Sequence, residues 1–155
     1  MVLKKNKRKK RLKILIIHGP NLNLLGKREP KIYGKASLSK INQLIQIEAQ
    51  KMDIHVEIIQ SNHEGELVDL IGNARKNYDG ILINPAAYTH TSVALRDALS
   101  ACGVPAVEVH LSNIYGREEF RRQSLTAPAC IGQVSGFGEE SYLLGLEGLV
   151  KALRK

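Results

Sequence analysis

The sequence has few cysteines, with two in 155 residues. Two cysteines do not make the disulfide scaffold of a small secreted domain, and Cys102 and Cys130 do not form a metal-ligand spacing. We therefore expect both to be reduced, partly buried small residues. At this length one domain can bury a real hydrophobic core without disulfide or metal support.

Long apolar segments are also lacking. No stretch approaches the about 20 apolar residues of a membrane-spanning helix. The basic first residues have no apolar segment of the kind found in a secretory signal. No repeat period is present, and no low-complexity segment follows the first residues. These absences predict a soluble, cytoplasmic protein with no membrane partner.

Positive charge is in excess, with 23 lysines and arginines against 15 acidic residues. The excess precedes or opens the first predicted strand, at Lys4, Lys5, Lys7, Arg8, Lys9, Lys10, Arg11 and Lys13. Without these eight, 15 basic residues balance the 15 acidic ones. We predict a disordered basic tail at 1–11 and a single catalytic domain at 12–155. A domain without net charge does not favour nucleic acid as a partner, and binding of nucleic acid by the tail stays open as an alternative.

Short apolar runs alternate with amphipathic segments five times along the chain. The runs predict strands at 12–17, 55–60, 80–84, 105–110 and 131–135. Helices are predicted to begin at Ser37 or Ser39, after Gly65, at Thr89 or Thr91, and at Ser141. This alternation predicts an α/β fold with a doubly wound, five-stranded parallel sheet. Right-handed crossovers favour the flavodoxin-like strand order 2-1-3-4-5.

Ligands of such sheets bind beyond the carboxyl ends of the strands, where the strand order reverses. Here these are the ends of the first, third and fourth strands. Polar residues that can bind ligands or transfer protons follow or occupy all three ends: Asn21, Arg28 and Tyr33, then Asn84 and His90, then Glu108 and His110. The sequence therefore predicts a site at this edge of the sheet.

The connection after the first strand, residues 17–34, is unusually long. Connections in compact domains have a median of about 4 to 6 residues, and long ones are mostly functional or disordered. Its leucine, isoleucine and tyrosine side chains argue against disorder. We interpret it as an active-site loop, with a fixed turn at 19–23 and a movable lid at 26–34. A packed surface excursion is the alternative.

Nucleotide-binding motifs are absent from this loop. Gly19 and Gly26 are separated by six residues, and Arg28 follows Lys27 where a phosphate-binding loop has serine or threonine. No G-x-G-x-x-G follows the first strand. A phosphoacceptor domain of this fold would have an acidic residue where Asn84 stands. These features argue against a nucleotide-binding or phosphoacceptor function.

A metal site is an alternative at the same strand ends. The side chains that could converge are His18, His63, His90, His110 and Glu108. Glu108 and His110 are two apart on a strand and so face the same side. However, no H-E-x-x-H or other ligand spacing supports a metal.

Acid and base chemistry without a metal uses more of these residues. His110 can exchange a proton near neutral pH, and Glu108 beside it can orient the ring. Tyr33 lies five residues after Arg28 in the long loop. An ordinary tyrosine has a pKa of about 10, so a tyrosine base near pH 7 needs about 4 kcal/mol from nearby positive charge. Arg28, helped by Arg117 or Arg121, can supply that charge. A loop-anchoring aromatic is the other interpretation of Tyr33.

Several blocks of this sequence resemble the type II 3-dehydroquinases, also called type II 3-dehydroquinate dehydratases. The block G-P-N-L-N-L-L-G-x-R-E-P-x-x-Y-G at 19–34 looks like that family's signature. I-N-P-A-A-Y-T-H-T-S at 83–92, V-E-V-H-L-S-N at 107–113, R-E-E-F-R at 117–121 and G-Q-V-S-G-F-G at 132–138 follow in family order. The resemblance runs from about residue 12 to the C-terminus.

The resemblance implies a lyase that dehydrates 3-dehydroquinate to 3-dehydroshikimate through an enolate, without a cofactor. It places this step in the shikimate pathway, which leads to aromatic amino acids, or in quinate catabolism. Tyr33 matches the base, with its phenolate favoured by Arg28. Asn21 matches the residue that holds a water at the enolate oxygen. His110 matches the acid, assisted by Glu108.

The resemblance also implies substrate contacts and an assembly. Asn84, His90 and Arg121 match contacts to substrate hydroxyls. The backbone N–H groups of Leu111 and Ser112 match a carboxylate site, and Arg117 matches a loop arginine near the base. The family forms trimers grouped into dodecamers, and Asp97 matches a residue that reaches a neighbouring subunit's site.

Overall fold

The computed structural model describes residues 10–27 and 29–155 of the chain. Two predictions fall partly elsewhere. Most of the predicted tail, at 1–9, and the predicted catalytic residue Arg28 lie outside the described residues.

Five parallel strands form one sheet in the order β2-β1-β3-β4-β5. The strands are β1 (Lys13–His18), β2 (His55–Gln60), β3 (Gly80–Asn84), β4 (Ala106–His110) and β5 (Gly132–Ser135). The central strands β3 and β4 are buried along their whole length. This is the buried environment that continuous apolar runs indicate. The predicted fold class and strand order are confirmed, and no strand boundary shifts by more than one residue.

Five α-helices connect or follow the strands: α1 (Pro30–Tyr33), α2 (Leu38–Lys51), α3 (Glu64–Asn73), α4 (Val93–Ala101) and α5 (Glu140–Leu153). The long loop after β1 contains α1 and a single helical turn at Leu22–Leu24. Further short turns at Ala86–His90 and Glu119–Arg121 lie at the same end of the sheet. Within residues 10–27 and 29–155, no helix is long and apolar enough to cross a bilayer.

The helices cover both faces of the sheet because side chains alternate along each strand. On β1, Ile14 and Ile16 pack with α2 and α5, whereas Leu15 and Ile17 pack with α3 and α4. Apolar residues at helical spacing supply the other half of each layer, for example Ile41 and Ile45 on α2. The doubly wound architecture therefore follows from the two apolar faces of strands such as β1.

One of the predicted helix caps is confirmed and two are wrong. The hydroxyl of Ser37 accepts the N–H of Lys40 at 3.1 Å and caps α2. For α4 the cap is Ser92 rather than Thr89 or Thr91, because residues 86–90 form a tight turn of their own and Thr89 is buried within it. Ser141 lies inside the first turn of α5, where its hydroxyl accepts the N–H of Phe137.

Helix α5 approaches the sheet closely at Gly145. A Cβ atom there would lie 2.5 Å from Cγ1 of Val109 and 3.0 Å from Cδ1 of Leu82. Gly148, one turn further along the same helix, has nothing within 4 Å of such an atom. The two glycines thus occupy the same secondary structure in opposite packing environments.

We expect alanine at these two positions to change stability in opposite directions. Gly148→Ala should raise the free energy of unfolding by about 0.5–1 kcal/mol, because alanine restricts the unfolded chain and favours helix. Gly145→Ala should lower it by about 1–3 kcal/mol, because its methyl group overpacks the contact with β4. Urea unfolding of both variants measures the difference. Equal stabilisation by both would contradict the close approach of α5.

Candidate active site

A cavity opens at the carboxyl ends of β1, β3 and β4, at the edge that the strand order predicts. Leu22, Leu25 and Ile114 contribute apolar walls. Most of the predicted site residues line it: Asn21, Tyr33, Asn84, His90, His110, Leu111, Ser112, Arg117 and Arg121. Residues separated by up to a hundred positions in sequence therefore meet because three parallel strands end together.

The turn after β1 is held against the end of β3. The N–H of Gly19 donates to the carbonyl of Asn84 at 2.8 Å. A Cβ at Gly19 would lie 2.5 Å from the carbonyl oxygen of Pro85, so only glycine fits this approach. Asn21 follows with a left-handed φ of 65°, and its N–H donates to Oδ1 of Asn62 at 3.0 Å. This backbone places Asn21 at the rim of the cavity.

Glu108 is the fully buried carboxylate behind the cavity. Five side chains donate to it: His110 at 2.6 Å, Thr89 at 2.7 Å, Ser124 at 2.8 Å, Gln133 at 3.2 Å and Thr126 at 2.5 Å. Burial alone would raise the pKa of Glu108. The hydrogen bond and the charge of His110 outweigh burial, together with hydrogen bonds from Thr126 and Thr89. They lower the pKa of Glu108 to about 2. Glu108 is therefore ionised at neutral pH.

His110 is the last residue of β4 and stands between Glu108 and the cavity. Its Nε2–H donates to the ionised Glu108, which leaves Nδ1 as the ring nitrogen that can exchange a proton. The two side chains share one face of β4 because they are two residues apart. The arrangement is a histidine with a fixed tautomer and a negative partner.

Tyr33 ends the short helix α1 and contacts an arginine from the opposite wall. Nη1 of Arg117 donates to the Tyr33 hydroxyl at 3.1 Å, and the guanidinium carbon lies 5.2 Å from the ring centroid. Arg117 also lies 3.6 Å from Glu118, which is exposed. Left-handed backbones flank α1 on both sides, at Glu29 (φ 37°) and Gly34 (φ 83°). The hydroxyl of Tyr33 is thus held beside positive charge.

Two further nitrogen-bearing side chains, His90 and Arg121, line the cavity. The ring of His90 is bonded through Nδ1 to the carbonyl of Gln123 at 2.8 Å, and partial burial lowers its pKa. Nε of Arg121 lies 3.1 Å from Glu118, and its guanidinium carbon lies 5.0 Å from the ring centroid of Phe120. His90 lies in the turn at Ala86–His90 after β3, and Arg121 lies in the turn at Glu119–Arg121 after β4. Both side chains line the cavity.

Besides Glu108, which lies behind the cavity, one predicted residue of the described chain is not part of this lining. Asp97 is exposed on α4 and lies away from the cavity of its own chain. Arg28 lies outside the described residues, so its place relative to Tyr33 stays a prediction.

The histidines of the metal hypothesis do not converge on one point. His18 is buried and bonded to Tyr142 and Asn42, each at 2.8 Å. His63 is exposed at the start of α3. In the part of the chain that the structure describes, no group of three or more His, Cys, Asp or Glu side chains could hold a metal ion.

Sequence reasoning missed the residues that hold the site from behind. Ser124 and Thr126 donate to Glu108 from a segment with no recognisable motif, and Gln133 donates to it from β5, inside a block whose resemblance to the family assigned it no role. Thr89 was assigned only as a possible helix cap. Hydroxyls are common in loops, so the only signal that could have found them is the need of a buried carboxylate for several donors.

Comparisons with known proteins identify close relatives. The family described as Dehydroquinase class II matches residues 12–150. A 3-dehydroquinate dehydratase of Nostoc sp. is 62% identical over 143 residues, which cover 92% of this chain and 97% of the relative. One from Trichodesmium erythraeum is 60% identical over 141 residues, 91% of this chain and 94% of that protein. The crystal structure of type II dehydroquinase from Butyrivibrio crossotus has a TM-score of 0.89 and 46% identity, and the match covers 90% of this chain and 98% of that one.

His18, which is buried behind the cavity, predicts how stability depends on pH. Burial lowers the pKa of His18 from 6.5 to about 4, so between these values the unfolded chain binds a proton that the folded chain excludes. Stability should therefore fall as pH falls from 6.5 to 4, and His18 should contribute about 3 kcal/mol to that fall. Urea unfolding of wild type and His18→Gln at both pH values measures this contribution. It is the difference between the two proteins in how much the free energy of unfolding falls from pH 6.5 to pH 4.

Histidine at position 55 provides the matched control for this measurement. His55 is exposed on β2, so His55→Gln should keep the wild-type dependence on pH. A slope that is the same in His18→Gln and wild type would show that His18 does not resist protonation in the folded state.

Proposed function

The chain belongs to the class II dehydroquinase family, and from that premise we propose that it dehydrates 3-dehydroquinate to 3-dehydroshikimate through an enolate. One observation supports this most directly. A tyrosine beside an arginine and a histidine backed by an ionised glutamate line the same cavity. An elimination needs a base at one carbon and an acid at the leaving hydroxyl, and this pair can supply both.

Tyr33 is the proposed base. As phenolate it removes a proton from the carbon next to the ketone, and the electrons of that C–H bond pass to the ketone oxygen as an enolate. Arg117, 3.1 Å away, favours the phenolate by charge. Arg28 is proposed as a second source of positive charge on the lid.

His110 is the proposed acid. Its imidazolium gives a proton to the hydroxyl that leaves as water, while the enolate electrons form the new carbon–carbon double bond. The ionised Glu108 stabilises the imidazolium and holds Nε2, so the proton would leave from Nδ1. Transfer of one proton from Tyr33 to His110 through solvent then restores both groups. Each positioned proton transfer contributes about 10²–10⁴ in rate.

The remaining polar groups of the cavity are proposed to bind and orient substrate. Asn21 would hold a water at the enolate oxygen, and Asn84, His90 and Arg121 would contact hydroxyl groups. The N–H groups of Leu111 and Ser112, directly after β4, would bind the carboxylate. These contacts would hold the substrate ring beside Tyr33 and His110, so that proton transfer becomes an effectively unimolecular step within the enzyme–substrate complex.

The proposed assembly is a dodecamer built of trimers, in which Asp97 would serve a neighbouring subunit. Its exposure on α4, away from its own cavity, is compatible with that role. Residues 12–155 would form the single catalytic domain of each subunit, without a cofactor.

The activity is tested with pure protein and 3-dehydroquinate in the presence of a strong chelator. We expect new ultraviolet absorbance from the conjugated enone of the product, and we expect the chelator to leave the rate unchanged. No absorbance change at any pH would refute the proposed reaction. Loss of activity with chelator alone would refute the metal-free mechanism and leave the reaction standing.

Removing the hydroxyl of Tyr33 should remove nearly all turnover and leave substrate binding intact. Tyr33→Phe is expected to lower kcat by about 10² or more while substrate still binds, as calorimetry can measure. Arg28→Ala keeps the hydroxyl but removes charge, so its kcat profile should begin to rise at higher pH than that of wild type. Tyr78→Phe, far from the cavity, is the matched control. Wild-type turnover in Tyr33→Phe would exclude Tyr33 as the base.

A further inference from the structure

A buried chain of hydrogen bonds connects the cavity to helix α5. We propose that Tyr142 is a positioning residue that fixes the side-chain amide of Asn84 for the substrate. The inference rests on the proposed function, in which Asn84 contacts a substrate hydroxyl.

Both ends of the Asn84 amide are already engaged by protein. Its Nδ2 donates to the Tyr142 hydroxyl at 3.0 Å, and its Oδ1 accepts the N–H of Ala86 at 3.1 Å. An amide has two N–H protons and two acceptor lone pairs. One of each therefore stays available to the cavity that Asn84 lines. The contact with Tyr142 fixes the orientation of the amide, with the donor Nδ2 rather than the acceptor Oδ1 towards Tyr142.

The direction of every bond behind Asn84 follows from this contact. Because the Tyr142 oxygen accepts from Asn84, its own proton goes to Nδ1 of His18, 2.8 Å away. His18 then carries its proton on Nε2 and donates to Oδ1 of Asn42 at 2.8 Å. This requires a neutral His18, which agrees with its burial. Reversal of any one bond would leave two donors or two acceptors facing each other.

The surroundings leave the amide no alternative partner if the hydroxyl is removed. Tyr142 and His18 are fully buried, and Asn84 is 3% exposed. Gly145, one turn after Tyr142, allows α5 close enough to the sheet for the phenol to reach the end of β3. Without the hydroxyl, Nδ2 of Asn84 would be buried and unpaired and only the N–H of Ala86 would hold the amide, so the amide would turn from its present orientation towards the cavity. The substrate would then meet an amide in the wrong orientation.

A double-mutant cycle distinguishes positioning from ordinary core packing. Tyr142→Phe keeps the ring and removes only the hydroxyl, and it should lower kcat/KM about 5- to 10-fold, the size expected for one hydrogen bond. With Asn84→Ala already present, the same change should alter kcat/KM less than about twofold, because its target is gone. If Asn84→Ala fails to fold, Asn84→Ser replaces it in the cycle.

Tyr78→Phe is the matched control for the loss of a hydroxyl. The Tyr78 hydroxyl donates to Glu57 at 2.5 Å, just before β3 begins and so at the opposite end of the sheet. Its removal should leave kcat/KM within about twofold of wild type. A loss equal to that of Tyr142→Phe would mean that the effect is not specific, and would overturn the proposal.

Two outcomes of the cycle would also overturn the positioning role. One is an unchanged kcat/KM in Tyr142→Phe, and the other is the same loss with and without Asn84. Wild-type activity on 3-dehydroquinate, measured alongside, keeps the two proposals apart. An inactive wild type refutes the proposed function and this inference with it, whereas an active wild type with an unaffected Tyr142→Phe refutes only the inference.

Discussion

The burial of one carboxylate is the constraint on which this end of the molecule depends. A carboxylate in a low-dielectric interior is unfavourable unless donors surround it. Glu108 receives donors from β4, from β5, from the turn at Ala86–His90 and from the segment around Ser124. The same bonds that keep it charged therefore hold β5, the turn at Ala86–His90 and the segment around Ser124 in place against β4.

The cavity divides its charges between its two sides. Tyr33 lies against the positive Arg117, and His110 lies against the negative Glu108. In the proposed mechanism each reactive group is thereby placed beside the charge that favours its reactive form. Opposite environments for two titratable groups are a general way to obtain a base and an acid in one site at one pH. The fold supplies this because α1 and β4 reach the cavity from different directions.

The sequence was most informative where local pattern alone determines structure. Apolar runs such as Ile81 to Ile83 can only be a buried strand or helix segment, and their length and flanking residues favoured the strand. Pairs on one strand, such as Glu108 and His110, were also predictable from the two-residue period. Helix starts were harder. Thr89 and Ser141 look like caps, but neither is one. The hydroxyl of Thr89 donates to Glu108, and Ser141 lies inside α5, where its hydroxyl accepts the N–H of Phe137.

The supporting residues were not predictable because their roles depend on distant partners. Nothing local to Thr126 indicates a carboxylate from β4, and nothing local to Tyr142 indicates His18. Those partners are 18 and 124 positions away in sequence. The family resemblance supplied the residues proposed to contact substrate and, behind His110, Glu108, but it gave no information about the other residues behind them.

The bond between His18 and Tyr142 joins the first strand to the last helix across 124 positions. During synthesis on the ribosome, β1 emerges long before α5 exists. Until α5 arrives, His18 lacks its partner and the face of the sheet that α5 covers stays open. The nascent chain can therefore form its helices and even part of its sheet early, but the cavity acquires its final geometry only at the end of translation.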